Sequence, residues 1–182
     1  SFSAKITAND GINTTDQDIQ VNITDVDPEG PVFSSDANFT VDENQTAIGT
    51  VVAEDPFGAS VSYTLSGTDA SAMTLDASSG ELVFNSAPDY ETKASYSATV
   101  TATGGNGATA ENITVTINNL NDNAPVFTSA ASFSIDENLT TIGNVSATDA
   151  DGDNITYSLS GTDASALSID STSGALSFNS AA

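Results

Sequence analysis

The chain has 182 residues, 38% of them hydrophobic, enough apolar material for one or two packed domains. Its 25 acidic side chains face only Lys5 and Lys93, a formal net charge of −23, and a surface of that sign repels phosphate backbones and excludes nucleic acid as a partner. Cys and His are absent, which removes disulfides, thiolate nucleophiles, serine–histidine triads and most zinc sites, and no run of about 18 apolar residues points to membrane insertion.

Residues 1–30 open the chain with Phe2-Ser3-Ala4 and with Ile19, Val21 and Ile23 at every second position. The next unit begins at Pro31-Val32-Phe33 and carries Asp42-Glu43-Asn44. It then alternates Tyr96, Ala98, Val100 and Ala102 with Ser and Thr, and Ile113, Val115 and Ile117 with Thr. An apolar period of two marks half-buried strands, and short strands between Gly, Asn, Asp and Ser turns indicate an antiparallel β-sandwich. At residue 125 the pattern restarts: Pro125-Val126-Phe127 and Asp136-Glu137-Asn138 repeat their counterparts 94 positions earlier. Over 31–88 against 125–182, 33 of 58 positions are identical without a gap, so the repeating unit is domain-sized rather than a solenoid coil. The same register pairs Phe2-Ser3-Ala4 with Tyr96-Ser97-Ala98. Residues 1–30 are therefore read as the last strands of a partial repeat, 31–124 as a complete repeat, and 125–182 as the first strands of a third, truncated one. Half a sandwich leaves an apolar face and open edges, so the expectation is that the native chain continues at both ends or that neighbouring molecules complete each other.

So many carboxylates require cations, diffuse over most of the surface and bound where carboxylates cluster. Four clusters recur in order: Glu43-Asn44, Asp89-Tyr90-Glu91, the linker 119–125 (Asn-Leu-Asn-Asp-Asn-Ala-Pro), and Asp149-Ala150-Asp151. In order and spacing they resemble the motifs of the cadherin repeat family, over the whole chain. The resemblance implies an all-β fold of tandem seven-stranded Greek-key, Ig-like sandwiches, an extracellular location, and Ca²⁺ ions shared between successive repeats. It implies a first ion held by Glu43, Asp89, Glu91 and Asp122, and a second by Glu43, Glu91, Asn119, Asp122 and Asp151 with the Leu120 carbonyl. A third would lie with Asn121, Asp149, Asp151 and the Asn123 carbonyl, helped by Asp153. Asn119 stands where the family has Asp. The chemistry agrees, because calcium takes six to eight hard oxygen ligands. The upstream junction departs further: Pro28 replaces the linker Asp, Phe57 the second Asp after Asp55, and Gly104 an Asp of a late strand. Fewer ions are expected there.

Other readings fit less well. An EF-hand starting at Asp149 needs Glu twelve positions in and finds Ser160. Gly104-Gly105-Asn106-Gly107 reads as a hairpin turn. Phe33, Phe127, Tyr63 and Tyr157 read as core or interface packing. Asp89 and Glu91 could form a glycosidase pair, but an acidic junction already accounts for them, and the chain is read as a non-enzyme. The expected role is a calcium-rigidified adhesion or extension module, with neighbouring repeats as partners. Homophilic or head-to-tail self-association and a cell-surface or glycan ligand are also compatible. The Thr/Asn/Asp-rich, Lys-poor composition resembles giant bacterial surface adhesins of the biofilm type more than animal cadherins. Two alternatives stand beside this: a filament subunit assembled by strand exchange between partial repeats, and a carbohydrate-binding module.

Overall fold

The structure, a computed structural model, describes residues 1–24, 29–105 and 107–181. The first 24 residues form a hairpin of β1 (Phe2–Asn9) and β2 (Thr14–Val21), turned at Gly11. The chain then builds β3 (Val32–Phe33), β4 (Asn38–Asp42), β5 (Ala47–Thr50), β6 (Ala53–Glu54), β7 (Ser62–Ser66), β8 (Met73–Leu75), β9 (Glu81–Phe84), β10 (Ser95–Thr103) and β11 (Ala108–Asn118). One short 3-10 turn, Ala70–Ala72, precedes β8.

Alternation decides the faces. In β10 and β11, Ala98, Val100, Ala102, Ile113, Val115 and Ile117 are all buried, while most of the Ser, Thr and Asn between them face water. These two strands lie at the centre of a four-stranded sheet, ordered β4-β11-β10-β7. The opposing layer is β5-β9-β8, extended by the pair β3-β6. The first strand is broken into β3 and β4, so its halves join different sheets, and the second is broken into β5 and β6. Counted so, the unit has the seven strands of an Ig-like sandwich. One pair inside it is parallel rather than antiparallel: β4 runs beside β11, Asn38 opposite Thr114 through Asp42 opposite Asn118. The switch of the first strand from one sheet to the other brings it alongside the last strand in the same direction.

The core joins Val41, Ile48, Val51, Met73, Leu82 and Phe84 to the inner faces of β10 and β11. Tyr63 is buried with its hydroxyl satisfied, accepting from the Ala53 N–H at 2.8 Å and donating to the Ala53 carbonyl at 3.2 Å. Phe84 meets Tyr96 edge-on at 4.9 Å. Gly80, at φ +74°, is required: a Cβ there would lie 2.1 Å from the Val51 carbonyl oxygen, and Gly174 repeats the arrangement against Val145 at 2.2 Å.

Residues 125–181 rebuild only part of this plan. β12 (Val126–Phe127), β13 (Thr141–Asn144), β14 (Ala147–Thr148), β15 (Leu167–Ile169) and β16 (Ala175–Phe178) stand 94 positions after β3, β5, β6, β8 and β9, with the same pairings and the same bulge in the fifth strand's counterpart. The counterparts of β4 and β7, residues 132–136 and 156–160, are not strands. In the complete unit those two strands have ladder partners only in β11 and β10. Without that central hairpin, Phe127 is 69% exposed, although its ring lies 6.5 Å from Tyr157. The expectation of a packed Phe127 therefore fails in this half-built unit, while Tyr63 meets it.

The contrast between the units yields a stability prediction. Leu82 is fully buried and its counterpart Leu176 only partly so. In urea unfolding, Leu82→Ala is expected to destabilise by about 2–5 kcal/mol, and Leu176→Ala by clearly less, since a partly exposed side chain leaves no closed cavity.

Candidate metal centre at the 43–153 junction

Four segments meet at the lower end of the complete sandwich, and Glu43 organises them. It follows the last residue of β4 and is 2% exposed. Its Oε2 accepts the Tyr90 N–H at 2.8 Å and its Oε1 the Leu120 N–H at 2.7 Å. One buried carboxylate thus ties the 89–91 loop and the linker to β4. Its neighbour Asn44 takes the left-handed conformation, φ +65°, and donates its N–H to the Pro88 carbonyl at 3.0 Å and its amide to Asp122. Asn138 repeats this backbone conformation at φ +67°. Left-handed geometry suits Asn, whose short polar side chain tolerates it.

Carboxylate oxygens of Glu43, Glu91 and Asp122 come within 4.8 Å of one another, and so do those of Asp149, Asp151 and Asp153. These are the groups of this kind among the described residues. Asn123 links the two. Its amide nitrogen donates to Asp122 at 2.7 Å, Asp151 at 3.0 Å and Glu91 at 3.3 Å, and its backbone N–H to Asp151 at 2.8 Å. A donor facing three carboxylates marks a locus of negative potential from both repeats. Asn119 donates to the Asp151 backbone carbonyl at 2.9 Å and Asn121 to the Asp153 carboxylate, so both linker amides reach the 149–153 loop. Asp149 accepts the N–H groups of Asp151 and Asp153 at 3.0 and 3.4 Å, holding the acidic loop closed.

The sequence-derived set is mostly assembled. Asp89 is the exception, because its carboxylate is engaged in its own turn, accepting from Glu91 N–H at 3.1 Å and from the Thr92 hydroxyl at 3.0 Å. Leu120 contributes its N–H to Glu43. Asn44 was not among the expected ligands, and its role shows only in the recurrence of Asp-Glu-Asn at equivalent places.

The electrostatics differ within the site. Partial desolvation, with repulsion from Glu43 and Asp151, raises the Glu91 pKa. The Asn123 amide, with its backbone N–H, lowers that of Asp151, and the Thr92 hydroxyl lowers that of Asp89. Charged Glu91 is therefore a cost to the metal-free fold that vanishes as pH falls through its raised value. Asp151 and Asp89 act oppositely: their contribution is present above the ordinary carboxylate range and is lost as pH falls through their lowered values. The donor set suits a hard divalent cation, with several carboxylate oxygens converging and no soft ligand.

At the upstream junction no comparable group of acidic side chains comes together among the described residues. Residues 25–28, with the Asp25, Asp27 and Pro28 of its linker, lie outside the described residues. Asp55 is 8% exposed; one oxygen accepts the Phe57 N–H at 2.9 Å and the Ala59 N–H at 3.3 Å, and Oδ2 is buried with no hydrogen-bond partner among the described residues. A Cβ on Gly104 would fall 2.3 Å from that oxygen, so the place where the family has an Asp is filled by Asp55 itself. Phe57 is half exposed.

No family model matches the chain. Among curated proteins it is 36% identical over 121 residues to human Protocadherin Fat 1 and 34% identical over 154 residues to human Protocadherin Fat 4, which covers 60% and 76% of this chain. Rat Cadherin-related family member 1 is 31% identical over 144 residues. The matched segments span only 3%, 3% and 17% of those proteins. Among solved structures, mouse Cadherin-23 EC22-24 superposes over 99% of this chain and 63% of that one, with a TM-score of 0.81 at 22% identity. Protocadherin gammaB7 EC3-6 does so over 100% and 52%, at 0.73 and 25%. The chain is built of cadherin-like domains. This cadherin-like segment is extracellular, and no helix among its described residues is long and apolar enough to cross a membrane.

Two substitutions separate scaffold from charge. In chelator at neutral pH, Glu43→Ala is expected to destabilise by about 1–3 kcal/mol, because two N–H groups lose a buried acceptor. Glu91→Gln is expected to leave the melting temperature unchanged or higher, since it removes a charge that Glu43 and Asp151 repel while the Gln oxygen can still accept from Asn123; circular dichroism melts read both.

Proposed function

We propose that the chain is a calcium-stiffened adhesion or extension segment of a larger extracellular protein, and not an enzyme. It would comprise the end of one repeat (1–30), one complete repeat (31–124) and the start of a third (125–182). The observation that carries the reading is the meeting of Glu91 and Asp122 from one sandwich with Asp151 from the next around the Asn123 amide, with the Glu43 carboxylate close to those of Glu91 and Asp122.

Bound calcium supplies the positive charge that lets these carboxylates sit together. Glu43 holds the loops in register whether or not metal is present. Glu91, Asp122 and Asp151 then supply oxygens across the linker, with Asn119, Asn121, Asp149 and Asp153 around them and the Leu120 and Asn123 carbonyls within the same short stretch. Asp89 reaches metal only by giving up part of its own turn. Charge compensation makes the relative placement of the sandwiches favourable instead of repulsive, and a string of such junctions becomes a rod. The upstream junction, with Phe57 and Gly104 in place of two carboxylates, takes fewer ions. Partners are the neighbouring repeats, with homophilic or head-to-tail association and a surface or glycan ligand at the tip of the parent protein. The acidic, Cys-free, Lys-poor composition favours a bacterial surface adhesin.

Thermal melting with calcium and with chelator tests this. An ion that binds only the folded state at about a thousand times its Kd adds about 4.1 kcal/mol, so a large calcium-dependent rise in melting temperature is expected. Asp122→Ala and Asp151→Ala should each remove most of that rise, and Asp55→Asn little of it. Equal melting curves with and without calcium contradict the proposal.

A further inference from the structure

The linker at 119–123 has amides where the upstream linker has acids. Asn119, Asn121 and Asn123 stand 94 positions after Asp25, Asp27 and Glu29. The loop that opens the following repeat changes in the opposite sense. Asp149, Asp151 and Asp153 stand where the earlier repeat has Asp55, Phe57 and Ala59. A side-chain amide offers two N–H donors and an ionised carboxylate offers none. Donor linker and acidic loop thus occur together at one junction of this chain, and at the other both are replaced.

The structure uses all three amides. Asn119 donates to the Asp151 backbone carbonyl at 2.9 Å and Asn121 to the Asp153 carboxylate. Asn123 does most. Its side chain donates to Oδ1 of Asp151 at 3.0 Å and its backbone N–H to Oδ2 at 2.8 Å, so one residue holds both oxygens. The same amide nitrogen reaches Asp122 at 2.7 Å and Glu91 at 3.3 Å. Two hydrogens are shared among three carboxylates, drawn from the 89–91 loop, the linker and the next repeat. At its other end the linker is fixed by the Leu120 N–H on Glu43. An amide is neutral, so these bonds orient the carboxylates without cancelling the charge that repels them.

We propose that the Asn123 side chain is a metal-free latch. It ties the end of the complete repeat to the start of the next when calcium is absent, and gives way when the ion enters the same space. Asn119 and Asn121 assist from the same linker. Contacts made only without the ion favour the unliganded state and so subtract from calcium affinity. The latch thereby sets the calcium level at which the junction stiffens. That second half rests on the calcium reading above; the tie between repeats does not.

The chain has no cysteine, so spin labels can be placed without removing native thiols. Ser97→Cys in the complete repeat and Thr172→Cys in the next carry them at exposed positions of the full chain. In chelator, Asn123→Ala should make the distance distribution between the labels about twofold broader, as charge-assisted bonds between the repeats are lost. Titrated with calcium ions, the Asn123→Ala chain should bind about threefold to tenfold more tightly, because the competing contacts are gone. A residue that merely supported the site would weaken binding on removal. In the unmodified chain, the Asn123 side-chain amide hydrogens should exchange slowly in chelator and faster once calcium is added, a readout that needs no variant. Equal widths in chelator, or calcium binding by Asn123→Ala no tighter than by the unmodified chain, overturns the proposal. An unmodified chain that binds no calcium would sink the calcium reading, while the widths in chelator still decide the latch.

Discussion

The lower end of the complete sandwich depends on one buried carboxylate. Glu43 leaves β4 at the point where that strand runs beside β11, and its two oxygens are consumed by N–H groups of two different segments. Sheet formation thereby becomes loop placement: once β4 is paired, the 89–91 loop and the linker are drawn to the same spot. Hydrogen bonds from backbone N–H to a buried, ionised acceptor are among the stronger contacts a protein makes, and here they hold other carboxylates close enough to repel. The site is assembled by backbone and crowds negative charge, the arrangement that the proposed cation would relieve.

The two junctions of the same chain divide along that line. Downstream, the acidic side chains of the next repeat reach back to the linker through Asn123. Upstream, Asp55 turns inward and fills the space over Gly104, and its second oxygen has no hydrogen bond among the described residues. Both lysines are occupied elsewhere, Lys93 on Asp69 and over the Tyr96 ring and Lys5 on Asp16, so the protein has no cation of its own to spend at the acidic end.

Much of this was legible beforehand, for physical reasons. Strict alternation in β10 and β11 and the ungapped 94-residue recurrence force half-buried strands of a domain-sized unit, and the structure has both. The resemblance to cadherin repeats implied that Glu43, Glu91, Asp122 and Asp151 would lie near one another, and the structure sets Glu43 with Glu91 and Asp122 and links Asp151 to the last two through Asn123. Less visible was that Asp89 would be taken up by its own turn, because a carboxylate two and three residues before free N–H groups can cap a turn as readily as bind an ion. The left-handed Asn44 was also hidden, since one residue's φ leaves no periodic trace. Nor did the pattern show that residues 132–136 and 156–160 would lose strand character: their sequences alternate like β4 and β7, but a strand needs a partner, and theirs is the hairpin.

The most direct test of shared ions between sandwiches is anomalous difference density from crystals grown with calcium. The account predicts peaks bounded by Glu43, Glu91 and Asp122 on one side and Asp151 on the other, with the Asn123 amide displaced from its present carboxylate acceptors. A well-ordered junction in which those carboxylates bind only water and amide groups, at saturating calcium, would contradict it.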